Sequence, residues 1–308
     1  MNKELLYILL FIIILVSGCV GGSTNGVAFS QTAGAVINEF SFDTNQVFEG
    51  DDVTLTVQVQ NVGAKIMSGT TRLWIYGPVI EAASGAPKEV WKLTNGKTDM
   101  ALSTNDFAPP DVERRIPGNI VLGELGMTAP QLNLPPGMDM PFKFIARMCY
   151  SYSTSAFSSV NEISKNELRI SNPPTSDAIT RATAGPIQLK LLSGDTVLSG
   201  KTMTLVYEIS NVGGGFPTLK TPACSSRKAD ILSNEMDKLH LVVTVDGKET
   251  SCGTSGTPKD VNIKRGGNVA CTYSASSTNP TTSHTVIATA TYNYILTQEA
   301  DMTVKSGQ

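Results

Sequence analysis

Over residues 53–59 apolar Val53, Leu55, Val57 and Val59 alternate with polar Thr54, Thr56, Gln58 and Gln60. A period of two puts one set on one face of an extended chain, so the segment predicts a half-buried strand. Asn61-Val62-Gly63 closes it with turn residues. The design returns downstream, where Met203, Leu205, Tyr207 and Ile209 alternate with Thr204, Val206, Glu208 and Ser210 and stop at Asn211-Val212-Gly213. Residues 47–63 and 197–213 are identical at seven of seventeen positions, where chance supplies about one. Each copy has a later half as well. Leu134-Pro135-Pro136-Gly137 matches Ile263-Lys264-Arg265-Gly266 as a turn entering a strand, and Tyr150-Ser151-Tyr152 matches Tyr292-Asn293-Tyr294 as points on a late strand. Asp246-Gly247 between apolar runs is a two-residue hairpin signal. No long stretch holds a 3.6-residue apolar period; the best helical candidate is a turn or two over 230–238. The pattern predicts an all-β protein of two tandem immunoglobulin-like β-sandwich domains.

The first residues follow a different rule. After Met1-Asn2-Lys3-Glu4 the chain runs apolar from Leu5 to Val16, interrupted by Tyr7 alone, and reaches Val16-Ser17-Gly18-Cys19. Twelve such residues are too few for a mature membrane span but fit the core of a secretory leader. The small residues before the cysteine resemble a lipobox, which implies cleavage after residue 18 and lipid on Cys19. Gly21-Gly22-Ser23-Thr24-Asn25-Gly26 has the make-up of a flexible tether. One acyl chain holds a membrane only marginally, so stable anchoring implies further acylation.

The expected organisation is therefore a leader over 1–18, a tether over 19–33, a first domain over 34–170, a linker over 171–186 and a second domain over 187–308. The linker is suggested by Ser171-Asn172-Pro173-Pro174-Thr175-Ser176-Asp177. The strand pattern G-x-x-[VM]-T-L-x-x-x-[VI]-x-N-V-G, beginning at Gly50 and Gly200, is similar to the second strand of CARDB-type immunoglobulin-like domains, adhesion-associated modules of bacterial and archaeal surface proteins. With the lipobox, the whole resembles a prokaryotic surface lipoprotein. The matching motif belongs to folding, so the resemblance implies a fold and a location but no catalytic residue.

Composition narrows the function classes. With 24 Lys+Arg against 27 Asp+Glu the net charge is −3, unlike the basic footprint of a nucleic-acid binder. Two histidines in 308 residues leave little for histidine catalysis or a multi-histidine metal site. The sequence holds no H-E-x-x-H, G-x-S-x-G or phosphate loop, and Ser225-Ser226-Arg227-Lys228 matches S-x-x-K without its partner motifs. Asp43, Asn45, Glu49, Asp51 and Asp52 place oxygen ligands of the kind calcium favours close together, yet the second copy has Lys201 among its counterparts, while Gly50 and Gly200 persist as a backbone turn. Met127, Met138, Met140 and Met148 could attract Cu(I) but read more simply as core. His240 and His284 read as structural. No metal or other cofactor is expected.

The copies differ in length: 76 residues separate Asn61 from Gly137, against 55 from Asn211 to Gly266, so the first carries 21 more. The extra stretch follows Trp74-Ile75-Tyr76-Gly77-Pro78 and holds Trp91, Phe107, Arg114 and Arg115. Long loops on a rigid sandwich are common binding sites, which makes these four the candidate ligand contacts. The plainer reading has Trp91 capping the core and the charges solvated.

Of the five cysteines, Cys19 is set aside for lipid, and Cys149, Cys224, Cys252 and Cys271 remain as an even set in an extracytoplasmic protein. Cys252–Cys271 is the favoured disulfide, Cys224–Cys252 its rival, and Cys149 reads as a buried thiol. The functional expectation is a non-catalytic, lipid-anchored cell-surface protein that contacts envelope or surface proteins, or mediates adhesion, without nucleic acid. The alternatives are an extracytoplasmic solute- or glycan-binding lipoprotein and an accessory subunit of an envelope complex.

Overall fold

The computed structural model describes residues 28–65, 71–82, 87–103, 105–171, 179–193, 196–219, 224, 235–252, 259–264, 267–274 and 279–307. The expected leader, Cys19, most of the expected tether and the S-x-x-K letters at 225–228 lie outside the described residues. The first part of the chain forms β1 (Ala35–Phe42), β2 (Gln46–Phe48), β3 (Asp52–Asn61), β4 (Thr71–Tyr76), β5 (Ile80–Ala82), β6 (Trp91–Asn95), β7 (Asp99–Leu102), β8 (Ile120–Thr128) and β9 (Asp139–Ile163). A short helix α1 (Lys165–Ser171) follows. The second part forms β10 (Thr180–Ala182), β11 (Ile187–Leu191), β12 (Thr196–Leu198), β13 (Thr202–Asn211), β14 (Phe216–Thr218), β15 (Lys238–Val245), β16 (Lys248–Glu249), β17 (Ser251–Cys252), β18 (Lys259–Asn262), β19 (Gly267–Ser274) and β20 (Thr281–Lys305). The protein is an all-β sandwich, as the alternation predicts.

Three sheets make two sandwiches. One half has a sheet in the order β1-β3-β8-β6-β5, the other a sheet in the order β11-β13-β19-β17, and a single eleven-stranded sheet lies opposite both. That large sheet exists because β9 and β20, 25 residues each, pair antiparallel from Asp139↔Lys305 to Ile163↔Thr281. Each therefore serves both halves. The N-terminal part of β9 pairs with β4 (Ile75↔Ala146), and its C-terminal end pairs parallel with β12 of the other half (Val197↔Glu162). β20 mirrors this: its start pairs with β15 (Val243↔Ala288) and its end pairs parallel with β2 (Val47↔Val304). Instead of turning back, each strand runs straight on and supplies an edge-side strand to its sister sandwich.

The crossover lies at the two Tyr-x-Tyr motifs. Tyr150 pairs with Tyr294, Tyr152 with Tyr292, and Ser151 with Asn293, so the motifs matched in sequence sit about a local two-fold axis. Their four rings are buried or nearly so, with centroids 5.7–6.3 Å apart. The Asn-Val-Gly turns dock onto this cluster. Asn211 Oδ1 accepts the Tyr294 hydroxyl (2.8 Å) and the Gly213 N–H (3.2 Å), and the Tyr294 hydroxyl accepts the Gly215 N–H (3.0 Å). In the first half Asn61 Oδ1 accepts the Gly63 N–H (3.0 Å), and its amide donates to the Phe107 carbonyl (2.9 Å). A Cβ on Gly63 would stand 2.9 Å from the Tyr152 hydroxyl and 2.8 Å from Gly34 Cα, so the turn needs glycine to approach the cluster.

Most buried side chains of both halves form one continuous cluster from Ala35 to Val304, with Trp74, Cys149, Cys224 and Ile295 in a small separate one. Gly50 and Gly200 have φ of +83° and +75°, the left-handed turn expected from their persistence in both copies. Asp246 and Gly247, at φ +48° and +79°, make the hairpin turn between β15 and β16. Two expectations differ from the structure. Of the helical candidate at 230–238, residues 230–234 lie outside the described residues, Glu235 to Asp237 form a turn and bridge, and Lys238 begins a strand; the described helix is α1, which buries no side chain. Within the stretch expected as linker, β10 is paired to β9 through Arg181↔Phe157.

Candidate functional site

The aromatic candidates of the long first-half segment are core residues. Trp91 is 1% exposed and Phe107 2%, so neither offers a face to a ligand. Trp91 packs edge-on against Phe142 and Phe144, at 5.5 and 5.3 Å between centroids. The segment places it there because β6 adds to the β8 edge (Lys92↔Thr128) and turns the indole inward. Arg114 and Arg115 are exposed on a tight turn closed by the Asp111↔Ile116 bridge, Arg114 lying 3.6 Å from Asp111. The structure thus separates the four residues into two buried rings and two solvated charges.

Cys252 and Cys271 are joined across β17 and β19. The remaining pair corrects two readings: Cys224 bonds to Cys149 rather than to Cys252, and Cys149 is no free thiol. The link ties β9 to the segment after β14, and Trp74 and Ile295 cover it. The methionines divide as well. Met127 and Met148 are fully buried, whereas Met138 and Met140 are exposed rather than core.

Two members of the acidic group near Gly50, Glu49 and Asp52, bond internally. Glu49 Oε1 accepts the backbone N–H groups of Leu132 (2.7 Å) and Leu134 (3.1 Å), and its other oxygen accepts that of Gly307 (3.4 Å). Against the desolvation that would raise its pKa, these bonds hold the Glu49 carboxyl below the usual value. Asp52 accepts the Thr128 hydroxyl (2.6 Å).

Among the described residues a cluster of titratable groups gathers about His284, which reads as structural in the sequence, though its carboxylate partners do not stand out there. His284, 7% exposed, stands between two carboxylates: Nδ1 is 2.6 Å from Asp246 Oδ2 and Nε2 is 3.0 Å from Glu162 Oε2. Glu162 is 1% exposed. Asp246 also accepts the Thr285 N–H (2.9 Å), and the Tyr273 ring lies 5.5 Å from the imidazole. Burial alone would lower the His284 pKa, but the bonds and charges of Asp246 and Glu162 carry it above the usual imidazole value. The hydrogen bond from His284, opposed by partial desolvation, holds Asp246 below the ordinary carboxylate range. With both ring nitrogens occupied by carboxylates, the imidazole has no free position from which to take a substrate proton. The arrangement fastens the ends of β9 and β20 to the β15–β16 hairpin. A signal for it was present: His284 and Glu162 sit at inward positions in the apolar alternation of their strands.

Two surface clefts stand out among the described residues. One, of about 270 Å³, is lined by Ala35, Val36, Ile37, Gly213, Leu296 and Gln298 among others. It runs along β20 where that strand is flanked by neither β14 nor β2, which pair with residues 293–295 and 303–305. The other, of about 380 Å³, lies beside β10 and is lined by Thr180, Thr183, Gln188, Lys190, Glu208 and Ser210 among others.

No family model matches the chain, and no curated protein matches it. Among solved structures, a protein of unknown function from Porphyromonas gingivalis W83 is 12% identical over 90% of this chain and 100% of its own, with a TM-score of 0.17. The MSCRAMM ACE of Enterococcus faecalis, which binds its ligands by the collagen Hug model, is 8% identical over 90% of this chain and 97% of its own (TM-score 0.18), and the collagen adhesin CNA of S. aureus 9% over 91% and 96% (TM-score 0.14). Likeness at this level transfers neither ligand nor mechanism, so the fold assignment rests on the strands described above.

Proposed function

We propose that this chain is a non-catalytic, lipid-anchored cell-surface protein that contacts other envelope proteins. The observation that carries the reading is the pair of buried disulfides, Cys149–Cys224 and Cys252–Cys271, because such bonds persist in oxidising, extracytoplasmic compartments. They agree with the leader-like first eighteen residues and with Cys19 as the lipidated residue. The occupied nitrogens of His284 support a structural rather than catalytic use of its cluster of titratable groups. Burial of Trp91 and Phe107 removes the aromatic face on which a glycan-binding reading depended. A contact role is left for the sandwich surface and its strand edges.

Mass spectrometry of the protein from host membranes tests the anchor. The expected product begins at Cys19 and carries diacylglyceryl and further acyl mass, and Cys19→Ala leaves the leader attached. Crosslinking on intact cells tests the contact role by returning the same envelope protein in independent experiments. A chain with its leader intact, or a purified chain that turns over a substrate unaided, overturns the proposal.

A further inference from the structure

The two halves treat one equivalent edge differently. The local two-fold axis relates Tyr150 to Tyr292 and hence Ser155 to Thr297 and Phe157 to Glu299, each 142 positions further along the chain. In the second half the β9 edge at Ser155–Ser158 is covered by β10: the Ser155 N–H donates to Thr183 Oγ1 (3.0 Å), the Thr183 N–H donates to the Ser155 carbonyl (2.8 Å), and Arg181 lies opposite Phe157. In the first half the corresponding stretch of β20, Thr297 to Asp301, has no strand on that side among the described residues. Thr303 turns its N–H away from β9 to the Asn45 carbonyl (3.1 Å). Backbone direction repeats every second residue of an antiparallel strand, so Thr297, Glu299 and Asp301 turn their N–H and C=O groups the same way. The cleft of about 270 Å³ opens at the start of this stretch, where Leu296, Thr297 and Gln298 line it; Ser155, the equivalent of Thr297, is bonded to Thr183 in the sister sandwich.

We infer that the Thr297–Asp301 edge is a strand-addition site for an extended, basic peptide segment of a partner protein. The segment adds antiparallel to β20, as β10 adds to β9. Main-chain bonds to an exposed edge supply affinity, and the alternate side chains supply specificity. Its inward residues are small or apolar, since they meet Ala35, Ile37 and Leu296. Its outward residue opposite Glu299 is Lys or Arg. The outward face of the edge carries the Glu299 and Asp301 carboxylates; Lys143 lies 2.6 Å from Glu299, while Arg147, opposite Thr297, stacks its guanidinium over Tyr76, and β10 itself places Arg181 at the position matching Glu299. This edge lacks the inward-pointing charge by which natural edges repel strands: its inward positions are Leu296, Gln298 and Ala300. The inference names the partner class for the contact role proposed above and depends on that reading only for where the partner is met.

The test uses the full chain and a synthetic peptide copying residues 179–184, the sequence around β10 with Arg181 as its one charged side chain, and a scrambled peptide as control. Amide hydrogen exchange is read residue by residue. The expected result is at least about tenfold slower exchange at Thr297, Glu299 and Asp301 with the copied peptide, and no change with the scrambled one. Thr297→Pro removes an edge donor without touching the β9 ladder and abolishes the protection. Glu299→Lys weakens peptide binding about threefold, and a peptide with Glu in place of its Arg restores it. Both variants keep the parent melting temperature to within a few degrees, which separates loss of binding from loss of fold. Unchanged exchange at saturating peptide, or equal protection by the scrambled peptide, overturns the inference. Protection that grows with protein concentration alone also overturns it, by assigning the edge to a second copy. A lipidated, surface-exposed chain with an unresponsive edge sinks this inference and leaves the proposed function standing, whereas a responsive edge on an unlipidated chain does the reverse.

Discussion

The same place in the two sandwiches is filled in two chemically opposite ways. Where β20 begins, the second half has His284 and Glu162; the two-fold equivalents in the first half are Phe142 and Val304. The polar version closes with Asp246, the first residue of a two-residue hairpin turn. The apolar version replaces that turn with the longer segment after Pro78, which returns as β6 and drops Trp91 onto Phe142 and Phe144. The extra residues of the first half thus complete a core rather than present a ligand loop. A second substitution follows the same logic. β17, two residues long, is held to β19 by Cys252–Cys271, whereas the longer β6 is held by its buried indole. A short chain uses a staple where a long one uses apolar area.

The largest effect is expected at that indole. Trp91→Ala removes a fully buried side chain and should cost about 3–5 kcal/mol, read as a lowered denaturant midpoint. Because the cluster of buried side chains is continuous across both halves, the loss should lower one transition followed equally by probes in either sandwich. Two separated transitions would show that β9 and β20 pair across the halves without coupling them.

The disulfides sharpen the comparison next. Cys149–Cys224 closes 75 residues and Cys252–Cys271 closes 19, which on the chain-entropy account correspond to about 4 and about 3 kcal/mol. Replacing each pair with alanine should destabilise in that order by guanidinium titration. The reverse order would mean that the local staple of the second half does more than constrain the unfolded chain.

How much of this was legible in the sequence follows from the range of each signal. Alternation through Val53–Val59 and Met203–Ile209 reports only neighbours two residues apart, and it placed β3 and β13 correctly. The Asn-Val-Gly turns and Asp246-Gly247 are local as well, and they too were readable. Alternation is silent on which sheet a strand enters, so β9 and β20 read as separate late strands although the matched Tyr-x-Tyr motifs marked their meeting point. Thr32-Ala33-Gly34 and Thr183-Ala184-Gly185 form a further repeat that went unread. Each places its glycine against a tyrosine ring, Gly34 on Tyr150 and Gly185 on Tyr152. Cys149–Cys224 and Glu162–His284 join residues 75 and 122 positions apart, where no spacing rule applies. Trp91 misled because an aromatic in a long segment signals a ligand face or a core plug equally well. Only the edge that β6 pairs with decides between them.

A smaller prediction reverses sign. Tyr207 is fully buried on β13, its hydroxyl has no partner among the described residues, and burial pushes its pKa well up. By strand register its first-half counterpart is Val57, which buries no polar atom: Leu205 and Tyr207 face Cys271 and Val269 as Leu55 and Val57 face Leu125 and Gly123. Tyr207→Phe removes an unsatisfied group without changing the ring, so the protein should gain about 1 kcal/mol. A loss of similar size would reveal a bound water on the hydroxyl.

The smallest effect is one that pH alone exposes, and it should be confined to the polar half. His284 has a folded pKa above its unfolded value near 6.5, so its contribution is complete below about pH 6.5 and disappears as pH rises through the raised value. Asp246 is shifted the other way, from 3.8 downward; its contribution is complete above about pH 4 and disappears as pH falls through the lowered value. The imidazolium held by Asp246 and Glu162 should therefore add most between about pH 4 and 6.5. Against His284→Gln, the parent should show its greatest excess in unfolding free energy in that window, shrinking toward pH 8. The sister site, with Phe142 and Trp91, has nothing to titrate, so Phe142→Leu should shift stability by the same amount at pH 5 and pH 8. A His284→Gln difference that is flat with pH would mean that the ring serves the second half by packing alone, as Phe142 serves the first.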